Sequence, residues 1–245
     1  MSTTGKLDGR RALVTGAARR TGRALALALA EQGADVAIHY RSSEEEARRV
    51  ADEIQTLGQR STVVQADLTD AEATARAVAE ADRAIGPLDT LVNNVGAIIW
   101  KHLDELTPEE WRTSLDGTVT ATWNTCRAIL PILRRQGFGR IVNILDADAD
   151  SLAPALLATP YKIGKAGGLI LTKSLAKSEG IHGITVNALS PGVLEDSDKA
   201  VPLERIPAGR PGTYQDLAGA LLFCVDRDSS YLNGAHIKVS GGYLI

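Results

Sequence analysis

Tyr161 and Lys165 stand four residues apart in Pro160-Tyr161-Lys162-Ile163-Gly164-Lys165, at the start of a helical pattern. One helical turn puts the phenol and the ammonium on the same face, where a neighbouring positive charge is expected to lower the phenol's pKa and fit it for proton transfer near neutrality. In isolation the spacing is equally that of a solvated helix face. Its meaning depends on the elements that position it.

Those elements follow a regular order. Short β-like runs at 12–15, 35–40, 61–66, 88–93, 140–145, 184–189 and 235–239 alternate with longer helical patterns, which predicts an α/β doubly wound domain of Rossmann type with seven mainly parallel strands flanked by helices. A helix is predicted over 107–135, opened by Thr107-Pro108-Glu109-Glu110 as N-cap, first-turn proline and capping-box carboxylate, with a core stripe of Trp111, Leu115, Val119, Thr122, Cys126 and Ile129. The least regular segments, 146–159 and 191–211, follow strand ends, where such sheets bind ligands, and are expected to frame a substrate.

With 245 residues and no linker-like stretch, one domain spanning 1–245 is expected. Hydrophobic residues make up 44% and aromatic residues 4%, a balance that suits buried parallel strands under aliphatic helices. A net charge of -3 with dispersed lysines and arginines argues against nucleic acid as a partner. Cys126 and Cys224 are too few for a disulfide framework, and neither has metal-site spacing, so both are expected in the core of a reduced, cytoplasmic protein. The polar stretch 1–10 lacks a signal-length apolar run, and no segment has the length of a membrane span. His102, His182 and His236 have no ligand spacing and no metal is expected.

The cofactor end is more specific. Thr15-Gly16-Ala17-Ala18-Arg19-Arg20-Thr21-Gly22 follows the first strand and opens a helix, so backbone amides and the helix N-terminus can face a pyrophosphate. The second strand ends in His39-Tyr40-Arg41-Ser42, which offers no carboxylate to a ribose 2′-hydroxyl, whereas Arg19, Arg41 and Ser42 can hold a 2′-phosphate; NADPH or NADP is the expected cofactor. Asp67, followed by Leu68, is placed to accept from an adenine amine or to cap the next helix, and Asn93-Asn94-Val95-Gly96 ends the fourth strand in a turn able to pass close to the cofactor.

Together with Ser190-Pro191-Gly192 and Ser240-Gly241-Gly242, these motifs resemble the short-chain dehydrogenase/reductase family over essentially the whole chain. Arg20 in place of the usual middle glycine, His39-Tyr40-Arg41-Ser42, and Ile144-Leu145-Asp146-Ala147 resemble its pteridine reductase branch, in which an aspartate stands where most relatives have a catalytic serine. The resemblance implies that Tyr161 donates the proton, that Lys165 binds the nicotinamide ribose and that Asp146 assists at the substrate. It implies that Arg20 lies by the phosphates and the substrate, and that Pro191, Gly192 and Val193 complete the cofactor site. Ile98, Trp100, Asp148 and Leu194 are expected at the substrate. Thr118 aligns with the family's catalytic asparagine, which alters the lysine-linked water relay; counting back from Tyr161 selects Asp148, but the strand 139–144 fixes the register and loops absorb insertions, which favours Asp146. The C-terminal 241–245 and the long helix resemble the surfaces by which the family forms homodimers and homotetramers.

The expected activity is NADPH-dependent hydride transfer to a C=O or C=N bond of a small carbonyl or imine substrate. The rival is a non-redox cyclase or dehydratase using Asp146 and Tyr161 for acid-base work. A nucleotide-sensing protein without turnover is a third class, which retention of the Tyr161/Lys165 pair opposes.

Overall fold

The computed structural model describes residues 5–197 and 201–244. Seven strands, β1 (Arg11–Val14), β2 (Asp35–Tyr40), β3 (Ser61–Gln65), β4 (Thr90–Asn93), β5 (Gly139–Ile144), β6 (Ile184–Pro191) and β7 (His236–Val239), form one sheet in the order β3-β2-β1-β4-β5-β6-β7. Every pairing is parallel. The chain leaves β1 for β2 on one side and resumes with β4 on the other, so a crevice opens beyond the carboxyl ends of β1 and β4.

Period-two alternation divides the core. Val14, Ile38, Val92 and Val142 face α1 (Arg20–Glu31), α2 (Glu44–Thr56) and α7 (Tyr214–Val225). Leu13, Leu91, Ile141 and Val186 face the other layer, which includes α3 (Ala71–Ile85), α5 (Ala121–Gln136) and α6 (Thr159–Glu179). Cys126 and Cys224 are both buried, and burial pushes their thiols up to about 12 and about 11, as expected of inert core residues.

The helix expected over 107–135 is three pieces: α4 (Pro108–Leu115), a π-helical turn at Asp116–Thr120, and α5. Its N-terminus is capped as expected, with the Glu110 amide donating to Thr107 Oγ1 and the Glu110 carboxylate accepting from the Thr107 amide. The extra residue of the π turn rotates the buried face. Thr122, Cys126 and Ile129 therefore lie in the core as expected, whereas Trp111, Leu115 and Val119 are only half-buried and Ser114 and Thr118 are buried instead. A period of 3.6 carried straight through 116–120 misses that shift.

A buried polar chain anchors the reacting end of the sheet. Thr125 Oγ1 donates to Asn93 Oδ1 at 2.5 Å, Asn93 Nδ2 donates to Asn143 Oδ1 at 2.9 Å, and Asn143 Nδ2 donates to Thr172 Oγ1 at 2.8 Å. These bonds tie α5, β4, β5 and α6 together and fix the height of α6, which carries Tyr161 and Lys165. Among the described residues no helix is long and apolar enough to cross a membrane, and no cluster of three or more His, Cys, Asp or Glu side chains can hold a metal ion.

Candidate active site

Three cavities run into one another along the crevice. The first, of about 190 Å3, is lined by Gly16, His39, Arg41, Asp67, Leu68 and Gly96 among others. It shares Gly16, Val95 and Gly96 with a second of about 510 Å3 that also touches Arg19, Arg20, Gly22, Asn94 and Leu194. That one shares Arg20, Tyr161, Pro191 and Gly192 with a third of about 300 Å3, walled by Ile98, Trp100, Asp146, Asp148, Lys162, Tyr243 and Leu244. The cleft thus passes from a nucleoside-sized recess, over the β1–α1 turn, to a smaller chamber beside the phenol.

Local structure keeps the middle of this cleft open. Among the described residues no side chain caps the N-terminus of α1, which leaves its amides for an anion. A Cβ on Gly22 would lie 2.3 Å from the Gly16 carbonyl oxygen, so only glycine lets the helix start against the turn. Asn94 staples that turn to β4, its amide donating to Thr15 Oγ1 at 2.9 Å and its Nδ2 to the Thr15 carbonyl at 3.1 Å. Arg20 occupies the left-handed region with φ 50°, at a cost of about 1 kcal/mol for a residue with a Cβ. Its side chain ion-pairs with Asp196 at 3.0 Å, which ties the β1–α1 turn to the segment after β6. Asp196 also accepts from the Tyr214 hydroxyl.

His39 serves the turn through its ring. Nδ1 accepts from the Gly16 amide at 3.1 Å and Nε2 donates to the Ala66 carbonyl at 3.1 Å, an arrangement possible only for the neutral imidazole. Burial drives its pKa down from 6.5 to about 4. Since the folded value lies below the unfolded one, falling pH protonates the unfolded chain first. The stabilisation is complete above about pH 6.5 and is lost as pH falls to about 4, by which point the loss amounts to about 3 kcal/mol. Chemical denaturation at pH 7 and pH 4.5 should show this loss in the wild type and a much smaller one in His39→Gln; equal losses would contradict the assignment.

At the other end, a Cβ on Gly96 would lie 3.1 Å from Tyr161 Cε2 and 3.2 Å from Lys165 Nζ, so the bare glycine lets the β4 turn close over both. Tyr161 and Lys165 share one face of α6 as expected, with Nζ 5.3 Å from the ring centroid. Lys165 is buried and donates to the Ile144 carbonyl at 2.7 Å. Burial lowers its pKa, opposed by Asp146 and reinforced by Lys162. The Tyr161 hydroxyl donates to Asp146 Oδ1 at 3.0 Å.

The depressed phenol pKa expected from the Tyr161/Lys165 spacing is reversed. Burial raises it well above 10, and Asp146 raises it further. The ammonium is aimed at Ile144 while a carboxylate takes the hydroxyl, so this phenol stays protonated through the neutral range.

Asp146 and Asp148 both reach the chamber, and a residue absent from the sequence reading joins them. Lys162 Nζ donates to Asp146 Oδ2 at 2.8 Å and to both Asp148 oxygens, at 2.8 and 3.0 Å. Burial pulls the Lys162 ammonium down, but the two carboxylates outweigh it and leave its pKa above the ordinary value. A lysine next to Tyr161 on a helix reads as solvent-facing; the Asp-x-Asp spacing at 146–148 was the available signal for a buried cation. The Thr118 hydroxyl makes no hydrogen bond to Lys165 among the described residues: it donates to the Ser114 carbonyl at 2.7 Å and accepts from the Ala97 amide at 3.2 Å.

Other expectations separate in the same way. Tyr40 packs in the core, Ser42 is exposed, and neither these nor Val193 line the three cavities, because the β2 end turns Tyr40 inward and only Arg41 toward the cleft. Leu194 borders the middle cavity rather than the chamber. Asp67 accepts from the Thr69 amide at 2.9 Å and hydroxyl at 2.7 Å, whereas Asp70 caps α3. Arg19 pairs with Glu46 of α2; the Arg41 carbonyl accepts from Gln65 Nε2 at 3.0 Å, while its guanidinium makes no hydrogen bond or ion pair among the described residues. Residues 198–200 of the expected substrate segment 191–211, and Ile245, lie outside the described residues.

The family model for enoyl-(acyl carrier protein) reductase matches residues 16–244. The 3-oxoacyl-(acyl-carrier-protein) reductase of Staphylococcus aureus is 36% identical over 239 residues, covering 94% of this chain and 96% of the relative. The gluconate 5-dehydrogenase of Gluconobacter oxydans is 33% identical, covering 98% and 96%. Among solved structures, the gluconate 5-dehydrogenase of Burkholderia cenocepacia in complex with NADP and tartrate superposes with TM-score 0.89 at 32% identity, covering 96% and 95%. A short-chain type dehydrogenase/reductase from Mycobacterium marinum gives TM-score 0.90 at 32% identity, covering 97% and 96%. The fold and the site define a nucleotide-cofactor oxidoreductase; the chain belongs to the short-chain dehydrogenase/reductase family.

Proposed function

We propose that this chain is an NADPH-dependent reductase acting on a C=O or C=N bond of a small molecule, with Tyr161 as proton donor. The observation that carries the reading is the Tyr161 hydroxyl placed where the nucleotide cleft meets the chamber and bonded to Asp146, with Lys165 buried behind it. When bound, NADPH supplies the hydride. The α1 amides, Asn94 and the Gly16–Gly22 turn receive the phosphates, Asp67 and Leu68 border the adenine, and Lys165 holds the ribose and steadies the phenol electrostatically. Tyr161 gives its proton to the oxygen of a C=O, or to the nitrogen of a C=N, which becomes cationic as it is protonated. A phenol held protonated suits reduction better than oxidation, which needs the phenolate as base.

Arg41, open toward the nucleoside recess, and Arg19 favour a 2′-phosphate, and the Burkholderia relative was solved with NADP. Glu46 competes for Arg19. Titration with each cofactor should give tighter binding of NADPH than NADH, a narrower preference in Arg41→Asp, and NADPH binding strengthened about two- to fivefold in Glu46→Gln. Equal wild-type affinities would overturn the cofactor assignment.

The chamber supports a substrate bearing nitrogen, as the pteridine reductase resemblance implies. Asp146 faces the phenol where a hydroxyl is usual in the family, and Trp100 and Ile98 offer a wall for a planar ring. Asp146 and Asp148 of the segment after β5, and Pro191, Gly192 and Ser197 of the segment after β6, border this substrate, and Thr118 acts through its bond to the Ala97 amide rather than on the substrate. The relatives' names specify carbonyl and alcohol chemistry, which keeps ketones in the test. Loss of NADPH absorbance against a panel of small ketones and cyclic imines is the assay. Turnover without NADPH consumption would favour the cyclase or dehydratase reading. Exposed Trp123 on α5 and Ile163 and Ile170 on α6 support a homodimer or homotetramer, and the reduced thiols a cytoplasmic setting.

A further inference from the structure

We propose that Lys162 is the terminal proton carrier for Tyr161, feeding the phenol through Asp146 and drawing on solvent beside Asp148; this rests on the reductase reading above. A continuous hydrogen-bonded chain runs from the Tyr161 hydroxyl to Asp146 Oδ1 at 3.0 Å, from Asp146 Oδ2 to Lys162 Nζ at 2.8 Å, and from Lys162 to Asp148. The outer members open to water: the side chains of Lys162 and Asp148 are 30% and 27% exposed.

The inner route is built differently. Lys165 donates inward to the Ile144 carbonyl, the Thr118 hydroxyl is spent on Ser114 and Ala97, and the Thr118 carbonyl accepts from the Thr122 hydroxyl at 2.8 Å. The groups at the π turn are therefore engaged with one another rather than aimed at Lys165. Proton donation also leaves a phenolate against the Asp146 carboxylate, two like charges in a half-buried site, which makes prompt reprotonation necessary.

The steps balance. The Tyr161 O–H bond breaks and its proton goes to the substrate atom. A Lys162 N–H bond breaks and its proton passes to Asp146 Oδ2. Rotation of the carboxyl group about its broad terminal torsion presents that proton to the phenolate oxygen and re-forms the Tyr161 O–H bond. The neutral Lys162 amine recovers a proton from water beside Asp148, so one solvent proton is consumed per hydride and no electrons move in the relay. Burial and Asp146 raise the phenol, while Asp146 and Asp148 outweigh burial to raise the ammonium. The other titratable or charged groups facing the chamber are Arg20, Asp146, Asp148, Tyr161 and Tyr243, with Lys165 behind.

Arginine separates relay from counter-charge, because a guanidinium keeps the positive charge but does not release a proton in this range. With the best ketone or imine of the panel, Lys162→Arg and Lys162→Met should both lower kcat at least about tenfold, with KM in Lys162→Arg near wild type. The solvent deuterium isotope effect on kcat should rise in both. A second readout needs neither substrate nor cofactor: in protein carrying 3-fluorotyrosine, fluorine NMR should show Tyr161 ionising at higher pH in Lys162→Met and near the wild-type pH in Lys162→Arg. Full kcat in Lys162→Arg, or an unmoved Tyr161 titration in Lys162→Met, would overturn the relay. A wild type that oxidises NADPH with no member of the panel, yet shows the fluorine shift, would place the failure in the reductase reading instead.

Discussion

Replacing Tyr161 by phenylalanine should lower steady-state reduction by roughly 10^3-fold while NADPH affinity stays within about twofold of wild type. The substitution removes the proton that Tyr161 gives to the substrate, and little volume. The ring contacts with Gly96 remain, and so does the Lys165 bond to Ile144. Asp146 loses a donor but keeps Lys162. Lys165→Ala should behave differently, weakening NADPH binding and rate together, because its buried ammonium serves ribose and phenol at once. Stopped-flow fluorescence for binding and absorbance for turnover separate the two outcomes. Near-wild-type turnover in Tyr161→Phe would move proton donation to another group.

Substituting Asp146 should reverse substrate preference. A carboxylate near a developing alkoxide raises its energy in a site of low dielectric, whereas the same charge stabilises a cationic C=N group. Lys162 compensates part of that charge but divides its bonds with Asp148, so two carboxylates still share one ammonium. Asp146→Ser should therefore shift the ratio of ketone to imine rates toward the ketone by roughly tenfold, even where loss of the relay lowers both rates, with Asp146→Asn lowering both by loss of the relay. Rates measured across pH on both substrates check this. The same preference and pH profile in all three proteins would reduce Asp146 to a loop-stabilising role.

The parallel sheet was legible in the chain because its strands are short aliphatic runs between amphipathic helices, and the observed ends differ from the expected ones by at most two residues. Tyr161, Lys165, Gly22 and Gly96 were legible because helical spacing and close backbone approach leave marks in residue type. Long-range pairings leave no such mark. Lys162 joins Asp146 and Asp148 only because the loop after β5 folds back over the first turn of α6. Glu46 reaches Arg19, and Asp196 reaches Arg20, across separate elements. The expected sign of the Tyr161 pKa failed for the same reason: spacing identified the nearby ammonium but not the carboxylate that takes the hydroxyl. His39 lines the recess at the end of β2, but as a brace beneath the β1–α1 turn, which its type and position alone do not reveal.

The most direct test of the account is a single turnover with NADPH carrying deuterium at the transferring C4 position, using excess enzyme and the best ketone or imine of the panel, with the product examined by mass spectrometry. The account predicts one deuterium per product molecule, bound to the carbon of the former C=O or C=N, formed at the rate at which NADPH absorbance is lost, and no product from Tyr161→Phe on that time scale. Product formed without deuterium, while NADPH remains intact, would contradict it.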